Sequence, residues 1–144
     1  DDRRLRGALR RAGPQMSDEH GWDLDPEEAP AGTRFASLPE FVAEFLLPVW
    51  RRPPPSAWCP KWWEHPEAVL RLEALWDAFE ALRMQPGTGV AIWIRDYLDP
   101  TMASLTTKET SPFTKCRAAA GDHVIPDPWP AEPAPLGLFT SYNS

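Results

Sequence analysis

The stretch PEAVLRLEALWDAFEALR, residues 66–83, decides the fold class of this 144-residue chain. Its apolar side chains recur at intervals of three and four residues, which is the period of one face of an α-helix. That stripe consists of Val69, Leu72, Leu75, Trp76, Phe79 and Leu82. Pro66 suits the first turn of a helix, and Pro86-Gly87 ends the pattern. We therefore expect a central helix from about Pro66 to Arg83, with Leu72, Leu75, Trp76 and Phe79 buried together.

Two further apolar segments predict helices on either side of the central one. In SLPEFVAEFLLPVW, residues 37–50, Ser37 suits the N-cap, and Pro48 is expected to kink or end the helix. The segment GVAIWIRDYL, residues 89–98, leads to Asp99-Pro100, a pair typical of the start of a short helix. AIWI also fits a strand, but no partner strand is visible, so a helix is favoured. The predicted fold class is all-α, a small domain of about three to four helices.

The ends of the chain differ in composition from this helical part. Residues 1–16 form a basic N-terminal segment, and residues 17–36 are acidic, contain Pro and Gly, and read as a linker. The helical core domain is expected over residues 37–139, including a proline-rich tail at 126–135 that cannot form a helix, and residues 140–144 form the C-terminal end. The apolar run LGLF, residues 136–139, could pack back onto the helices or face a partner.

The overall composition indicates the general class of protein but does not indicate which reaction or ligand it has. The chain has 8 Trp, 18 Pro and a formal net charge of -6, with a mean hydropathy of -0.45. Tryptophan enrichment suits an aromatic core, or else a binding surface. The net charge argues against a general nucleic-acid coat. There is no run of 18 apolar residues and no apolar signal-peptide core, so we expect a cytoplasmic protein without a membrane segment.

A long tryptophan-rich motif in the middle of the chain resembles a known family. The run WCPKWWEHPEAVLRLEALW, residues 58–76, together with WIRD at 93–96, Pro112-Phe113, Cys116 and Gly137-Leu138-Phe139, is similar to the actinobacterial domain of unknown function family 4913. The resemblance covers about residues 38–139. It implies an origin in actinobacteria, often on plasmids, conjugative elements or prophages, and it implies no assigned activity.

Four residues supply the ligand types of a zinc site. They are Cys59, His65, Cys116 and His123. Thiolates and imidazoles close a tetrahedral structural site, but the tight Cys-x₂₋₄-Cys knuckle of most zinc sites is absent. The alternative takes both cysteines as small buried hydrophobes, His65 as a helix cap and His123 as a surface residue. We favour cysteines that lie near each other without metal, and a structural zinc and a Cys59–Cys116 disulfide remain alternatives.

Catalytic signatures are missing from the sequence. Cys59 and His65 with Glu64 or Glu67 supply the residue types of a nucleophile, a base and an orienting group, but no oxyanion architecture accompanies them. Asp96 and Asp99 lie three residues apart, as acid–base chemistry would allow, although a helix cap beside a salt bridge is the more common arrangement. We therefore expect no cofactor other than the zinc considered above and no catalytic residue.

Two kinds of binding surface are consistent with the remaining residues. Candidate contacts for a protein partner are Trp62, Trp63, Arg95, Asp96 and Phe139. Candidate phosphate contacts are Arg3, Arg4, Arg6, Arg10, Arg11, Arg51 and Arg52, although no nucleic-acid motif accompanies them. The favoured hypothesis is a non-enzymatic protein-interaction or adaptor module of a mobile genetic element with an unidentified protein partner. The alternatives are a DNA-binding accessory protein and a small enzyme centred on Cys59 and His65.

Overall fold

The computed structural model describes residues 32–141, and three helices make up the framework of this part of the chain. Helix α1 joins Leu38–Phe41, a π-helical segment Val42–Leu46 and Leu47–Val49. Helix α2 is Pro66–Leu82. Helix α3 joins Gly89–Trp93, a second π-helical segment Ile94–Leu98 and Asp99–Thr106. No strand occurs among the described residues, so the all-α prediction is confirmed for residues 32–141.

Helix α1 begins and ends where the sequence indicates. The Ser37 side chain accepts a hydrogen bond from the backbone N–H of Glu40 at 3.3 Å, which satisfies one of the donors left free at a helix start. The helix ends at Val49, directly after Pro48. The core also extends into the segment predicted as a linker, because Phe35 is fully buried.

Helix α2 buries most of the predicted apolar stripe. Leu72, Leu75 and Phe79 are buried, as expected. Trp76 is only partly buried, because its indole lies at the edge of the core and donates a hydrogen bond to Glu80 at 2.8 Å. The expectation that Trp76 is as fully buried as the other three side chains is therefore wrong.

Helix α3 packs closely against α2. A Cβ atom added to Gly89 would lie 1.9 Å from the carbonyl oxygen of Leu82, so only glycine allows this approach. Trp93 is buried, and its indole N–H donates to the carbonyl oxygen of Leu75 at 3.0 Å. The expected start of a new helix at Asp99 is wrong, because the helix runs on without a break and Asp99 lies inside it.

The three helices enclose a core of aromatic rings. The ring of Phe79 lies 5.0 Å from both Phe45 and Trp93 and 5.8 Å from Phe41, between ring centroids. Phe35 completes the group at 5.6 Å from Phe41. These spacings are within the range at which aromatic pairs attract each other beyond their burial.

The chain after α3 is held by a few anchors and then becomes exposed. Ser111 and Phe113 are buried, and the backbone N–H of Phe113 donates to the Ser111 hydroxyl at 2.9 Å. A short 3-10 helix, Ala118–Ala120, follows, next to an isolated bridge between Arg117 and Asp122. The proline-rich tail beyond is exposed. None of the described helices has the length and apolar character needed to cross a bilayer.

Candidate metal centre

The first half of the site is built on the approach to α2. Cys59 is buried, and the preceding Trp58 packs against Phe113 with ring centroids 5.0 Å apart. A 3-10 helix, Trp62–Glu64, begins three residues after Cys59. Because the Trp62 side chain is buried in the core, this short helix is anchored and the position of its neighbours is fixed.

His65 is the residue before the first turn of α2, but its side chain faces the protein interior. It is 1% exposed, and its ring lies edge-on to Phe113 at 4.9 Å. His65 is the N-cap residue of α2, as the alternative interpretation had it, but among the described residues its side chain makes no capping hydrogen bond. Instead, the Nε2 atom of the His65 ring faces Sγ of Cys116.

The second half of the site comes from the irregular chain after α3. Cys116 is buried, and the bridge between Arg117 and Asp122 turns the chain back on itself. The turn closes through Gly121, which has a φ of 77°, a conformation that glycine adopts without strain. His123 therefore returns beside Cys116 although six residues separate them in the sequence.

The four side chains converge on one point. One potential ligand atom from each of Cys59, His65, Cys116 and His123 lies within 4.8 Å of the others. Sγ of Cys59 lies 3.3 Å from Nδ1 of His123. Sγ of Cys116 lies 3.4 Å from Nε2 of His65 and 3.6 Å from Nδ1 of His123. Both cysteines are free thiols, buried near each other as predicted, and the disulfide alternative is not what the structure contains.

The surroundings of the cluster favour the uncharged forms of Cys59 and His65. Burial raises the pKa of the Cys59 thiol, and the neighbouring Cys116 and Glu64 add to this rise, while a hydrogen bond with the Lys61 backbone opposes it. Burial also lowers the pKa of His65, and the nearby His123 lowers it further. Without a cation, the Cys59 thiol thus resists ionisation and the His65 imidazole resists protonation.

This arrangement is better suited to holding a cation than to catalysis. Four ligands close a tetrahedral site and leave no open position for a substrate. The imidazole at hydrogen-bond distance from Cys59 is that of His123, whereas His65 pairs with Cys116. A buried thiol with a raised pKa is also a poor nucleophile, because the thiolate is the reactive form.

The candidate partner contacts are distributed between core and surface. Trp62 is buried and therefore is not available to a partner, whereas Trp63 is 56% exposed. Arg95 and Asp96 form an exposed ion pair at 2.8 Å. Phe139 is 73% exposed, so of the two fates considered for the LGLF run the structure shows the exposed one.

The candidate phosphate contacts are only partly described. The arginines between positions 3 and 11 lie outside the described residues. Arg51 is exposed, and the Arg52 guanidinium lies over the Trp50 ring at 3.7 Å. Arg52 shares a surface pocket with Lys108, but Asp99 and Glu109 line the same pocket and balance the charge.

One residue of the site has a role that the sequence did not reveal. Oε1 of Glu64 lies 2.7 Å from Nε2 of His123, on the side of the ring that faces away from the thiols. The sequence suggested Glu64 only as a partner of His65. In the sequence, the only hint that Glu64 belongs to the site is its position directly before the ligand candidate His65. Its contact with His123 could not be predicted, because the two residues lie 59 positions apart.

The fold and the site together define a helical domain with a Cys₂His₂ cluster, in which Cys59, His65 and Cys116 are buried and His123 is partly exposed. A family model described as a domain of unknown function, DUF4913, matches residues 35–135, and the chain belongs to that family. No curated protein and no solved structure matches the chain. All four cluster residues lie within the matched part.

Proposed function

We propose that this chain is a non-enzymatic protein-interaction module whose C-terminal part is fastened to its helices by one structural zinc ion. The observation that carries the proposal is the convergence of two thiols and two imidazoles, with ligand atoms within 4.8 Å of one another. Thiolate and imidazole are the ligands that zinc takes in structural sites.

Three sulfur–nitrogen distances within the cluster are compatible with zinc. Zinc–sulfur bonds of about 2.3 Å and zinc–nitrogen bonds of about 2.0–2.1 Å at a tetrahedral angle place sulfur and nitrogen about 3.5 Å apart. The observed sulfur–nitrogen distances are 3.3, 3.4 and 3.6 Å. A cation would also reverse the electrostatics at Cys59, because its charge stabilises the thiolate that burial alone disfavours.

Two backbone contacts favour thiolate ligands, and a third opposes them. The backbone N–H of Val124 donates to Sγ of Cys116 at 3.3 Å. The carbonyl oxygen of Val124, also 3.3 Å from that sulfur, accepts a hydrogen bond from the protonated thiol instead. The Lys61 backbone forms a hydrogen bond with Cys59 that favours the ionised form. An N–H group directed at sulfur stabilises a thiolate in the same way that it stabilises other anions.

The role of the metal is to order a segment that has little regular structure of its own. Between Thr106 and the exposed tail, the chain contains only a three-residue 3-10 helix and one bridge. Binding energy at a structural zinc site is folding energy, because the site does not exist in the unfolded chain.

The first test is metal content followed by a thermal melt with and without a chelator. We expect about one zinc per chain and a loss of several kcal/mol of unfolding free energy on chelation. His123→Ala should lose the metal, whereas His20→Ala, which changes the chain's third histidine and none of the four proposed ligands, should retain it. Metal-free wild-type protein with an unchanged melt would refute the zinc site.

The interaction surface that we propose is the exposed apolar part of the tail, together with Trp63. Trp129 is 94% exposed and Leu136 is fully exposed, and Leu138 and Phe139 lie nearby in the sequence. Large apolar side chains that remain in water are favourable anchors for a partner, because binding removes their surface from solvent. Arg95 and Asp96 provide a second, polar contact on α3.

The partner and the biological setting come from the family resemblance. We propose a cytoplasmic adaptor of an actinobacterial mobile genetic element, such as a plasmid, conjugative element or prophage, with a protein partner encoded by the element or its host. The test is a pull-down from an actinobacterial host with wild-type protein and a Trp129→Ala, Phe139→Ala double variant. A partner retained equally by both would place the interaction surface elsewhere.

The alternative of a DNA-binding accessory protein rests on the arginine clusters. Phosphate contacts release counterions, so binding to duplex DNA must weaken steeply as salt concentration rises. The charge balance of the pocket around Arg52 does not favour this alternative. DNA binding that shows such a salt dependence and is lost on removal of residues 1–16 would establish it.

A further inference from the structure

The carboxylate of Glu64 lies on the outer side of the cluster and forms a hydrogen bond with one of its two imidazoles, that of His123. Oε1 of Glu64 and Nε2 of His123 are 2.7 Å apart, a short distance that is typical of a hydrogen bond with a charged partner. The opposite ring nitrogen, Nδ1, faces the sulfur atoms of Cys59 and Cys116. The His123 ring therefore lies between a carboxylate and two thiols.

The two imidazoles of the cluster differ in how their outer nitrogen is held. His65 faces the cluster through Nε2, and its Nδ1 is buried without a hydrogen-bond partner among the described residues. His123 faces the cluster through Nδ1, and its Nε2 has the carboxylate of Glu64. Packing against Phe113 fixes the orientation of the His65 ring, but His123 comes from an irregular segment and is partly exposed.

We propose that Glu64 is a positioning residue that fixes the proton on Nε2 of His123 and so presents Nδ1 to the metal. The proposal rests on the zinc site proposed above. A ring nitrogen that donates to a carboxylate carries the proton, which leaves the other nitrogen with a free lone pair for the metal. The same hydrogen bond increases the basicity of the ligating nitrogen.

The location of Glu64 in the fold explains how it performs this role. Glu64 is the last residue of the 3-10 helix whose Trp62 is buried in the core. It also directly precedes the proposed ligand His65, the N-cap residue of α2. The Glu64 carboxylate therefore belongs to the part of the site that the core anchors. It binds the His123 ring, which comes from the irregular segment after α3.

The test measures zinc affinity by chelator competition for wild-type protein and for Glu64→Ala and Glu64→Gln variants. Loss of such an outer partner reduces metal affinity by about 10- to 100-fold, and we expect this for Glu64→Ala. Glu64→Gln keeps an acceptor oxygen without the charge, and we expect a smaller loss. The matched control is Glu67→Ala, which removes a nearby exposed carboxylate that pairs with Arg71 and should leave the affinity unchanged.

A spectroscopic readout separates this role from a general effect on folding. In zinc-loaded wild-type protein, nitrogen NMR of the imidazoles should show His123 bound through Nδ1 and protonated at Nε2, and His65 bound through Nε2. In Glu64→Ala saturated with zinc, the Nε2 proton of His123 should exchange faster with water while the helical circular dichroism matches that of wild type.

The possible failures are distinguishable. Wild-type protein that binds no zinc would overturn both the zinc site and the role of Glu64. Zinc-loaded wild-type protein in which His123 binds through Nε2, or in which Glu64→Ala has the same affinity as Glu67→Ala, would overturn the role of Glu64 and leave the zinc site standing.

Discussion

Glu80 shows how one charged residue organises a corner of this small core. Its carboxylate accepts hydrogen bonds from the backbone N–H groups of Arg34 and Phe35 at 2.8 and 3.1 Å. It also accepts from the Trp76 indole at 2.8 Å and from the Arg83 guanidinium at 2.7 Å. Glu80 therefore holds the chain before α1 against the last turns of α2.

Replacing Glu80 by alanine should destabilise the protein strongly. The side chain is 11% exposed, and its removal leaves several donors without an acceptor. Because each hydrogen bond to a charged group contributes about 1.5–3 kcal/mol and the losses overlap, we expect a total of about 3–4 kcal/mol. The measurement is urea-induced unfolding.

The matched control for Glu80 is Glu67→Ala on the same helix. Glu67 forms an exposed pair with Arg71 at 2.9 Å. Such a pair on a helix surface contributes about 0.3–0.5 kcal/mol. If the two variants lose similar stability, the network around Glu80 does not hold the N-terminal segment in place.

The tryptophans differ in their expected contribution to stability according to burial. Trp93 is 1% exposed and donates a buried hydrogen bond, so Trp93→Ala should cost about 3–5 kcal/mol. Trp76 is partly buried, and we expect its alanine variant to lose less, about 2–3 kcal/mol. Trp63→Ala should change the unfolding free energy little, because the side chain is exposed. A different order in thermal or urea unfolding would contradict this picture of the core.

At the scale of elements, α2 links the Cys₂His₂ cluster to the aromatic core, because His65 is its N-cap residue and Phe79 contributes a core ring. His65 precedes its first turn, and Phe79 lies fourteen residues further along. At 1.5 Å per residue this separation is about 21 Å along the helix. The cluster and the aromatic core therefore lie near different turns of the same helix, and we expect removal of the proposed zinc to act first on the elements near His65.

This separation predicts a local response to chelation. In hydrogen exchange of zinc-loaded protein, a chelator should raise the exchange rates of residues 107–125 more than those of the second half of α2. The physical reason is that the irregular segment depends on the cluster and on Phe113, whereas α2 retains its aromatic contacts. A uniform rise throughout residues 32–141 would show instead that the metal stabilises the whole fold as one cooperative unit.

At the scale of the whole molecule, the chain combines a framework of three helices with an irregular segment after α3. Contacts with the helices and with the approach to α2 hold this segment in place. The connector before Cys59 is joined to the end of α3 by the hydrogen bond from Ala57 N–H to the carbonyl oxygen of Thr106, at 2.8 Å. Phe113 then packs against both Trp58 and His65. The approach to α2 and the chain that leaves α3 are thereby brought side by side, which places the two halves of the cluster together.

The sequence by itself determined the helices, because helix formation depends on local patterns. The period of α2, the cap at Ser37 and the end at Pro48 all concern residues within a few positions of one another. The family was likewise visible in a continuous motif, which the family model confirms over residues 35–135. Helix continuity through Asp99 was predicted wrongly, since a pair typical of a helix start also fits inside a helix.

The tertiary structure decided which side chains meet, because no local pattern specifies contacts across many residues. Cys59 and His123 lie 64 positions apart and Cys116 and His65 lie 51 apart, so their spacing along the chain does not predict their approach. The same holds for the burial of Trp62 next to the exposed Trp63, since adjacent tryptophans are equivalent until the chain is packed. The sequence supplied the four ligand types, and the packing of an irregular segment onto α2 brought them to one point.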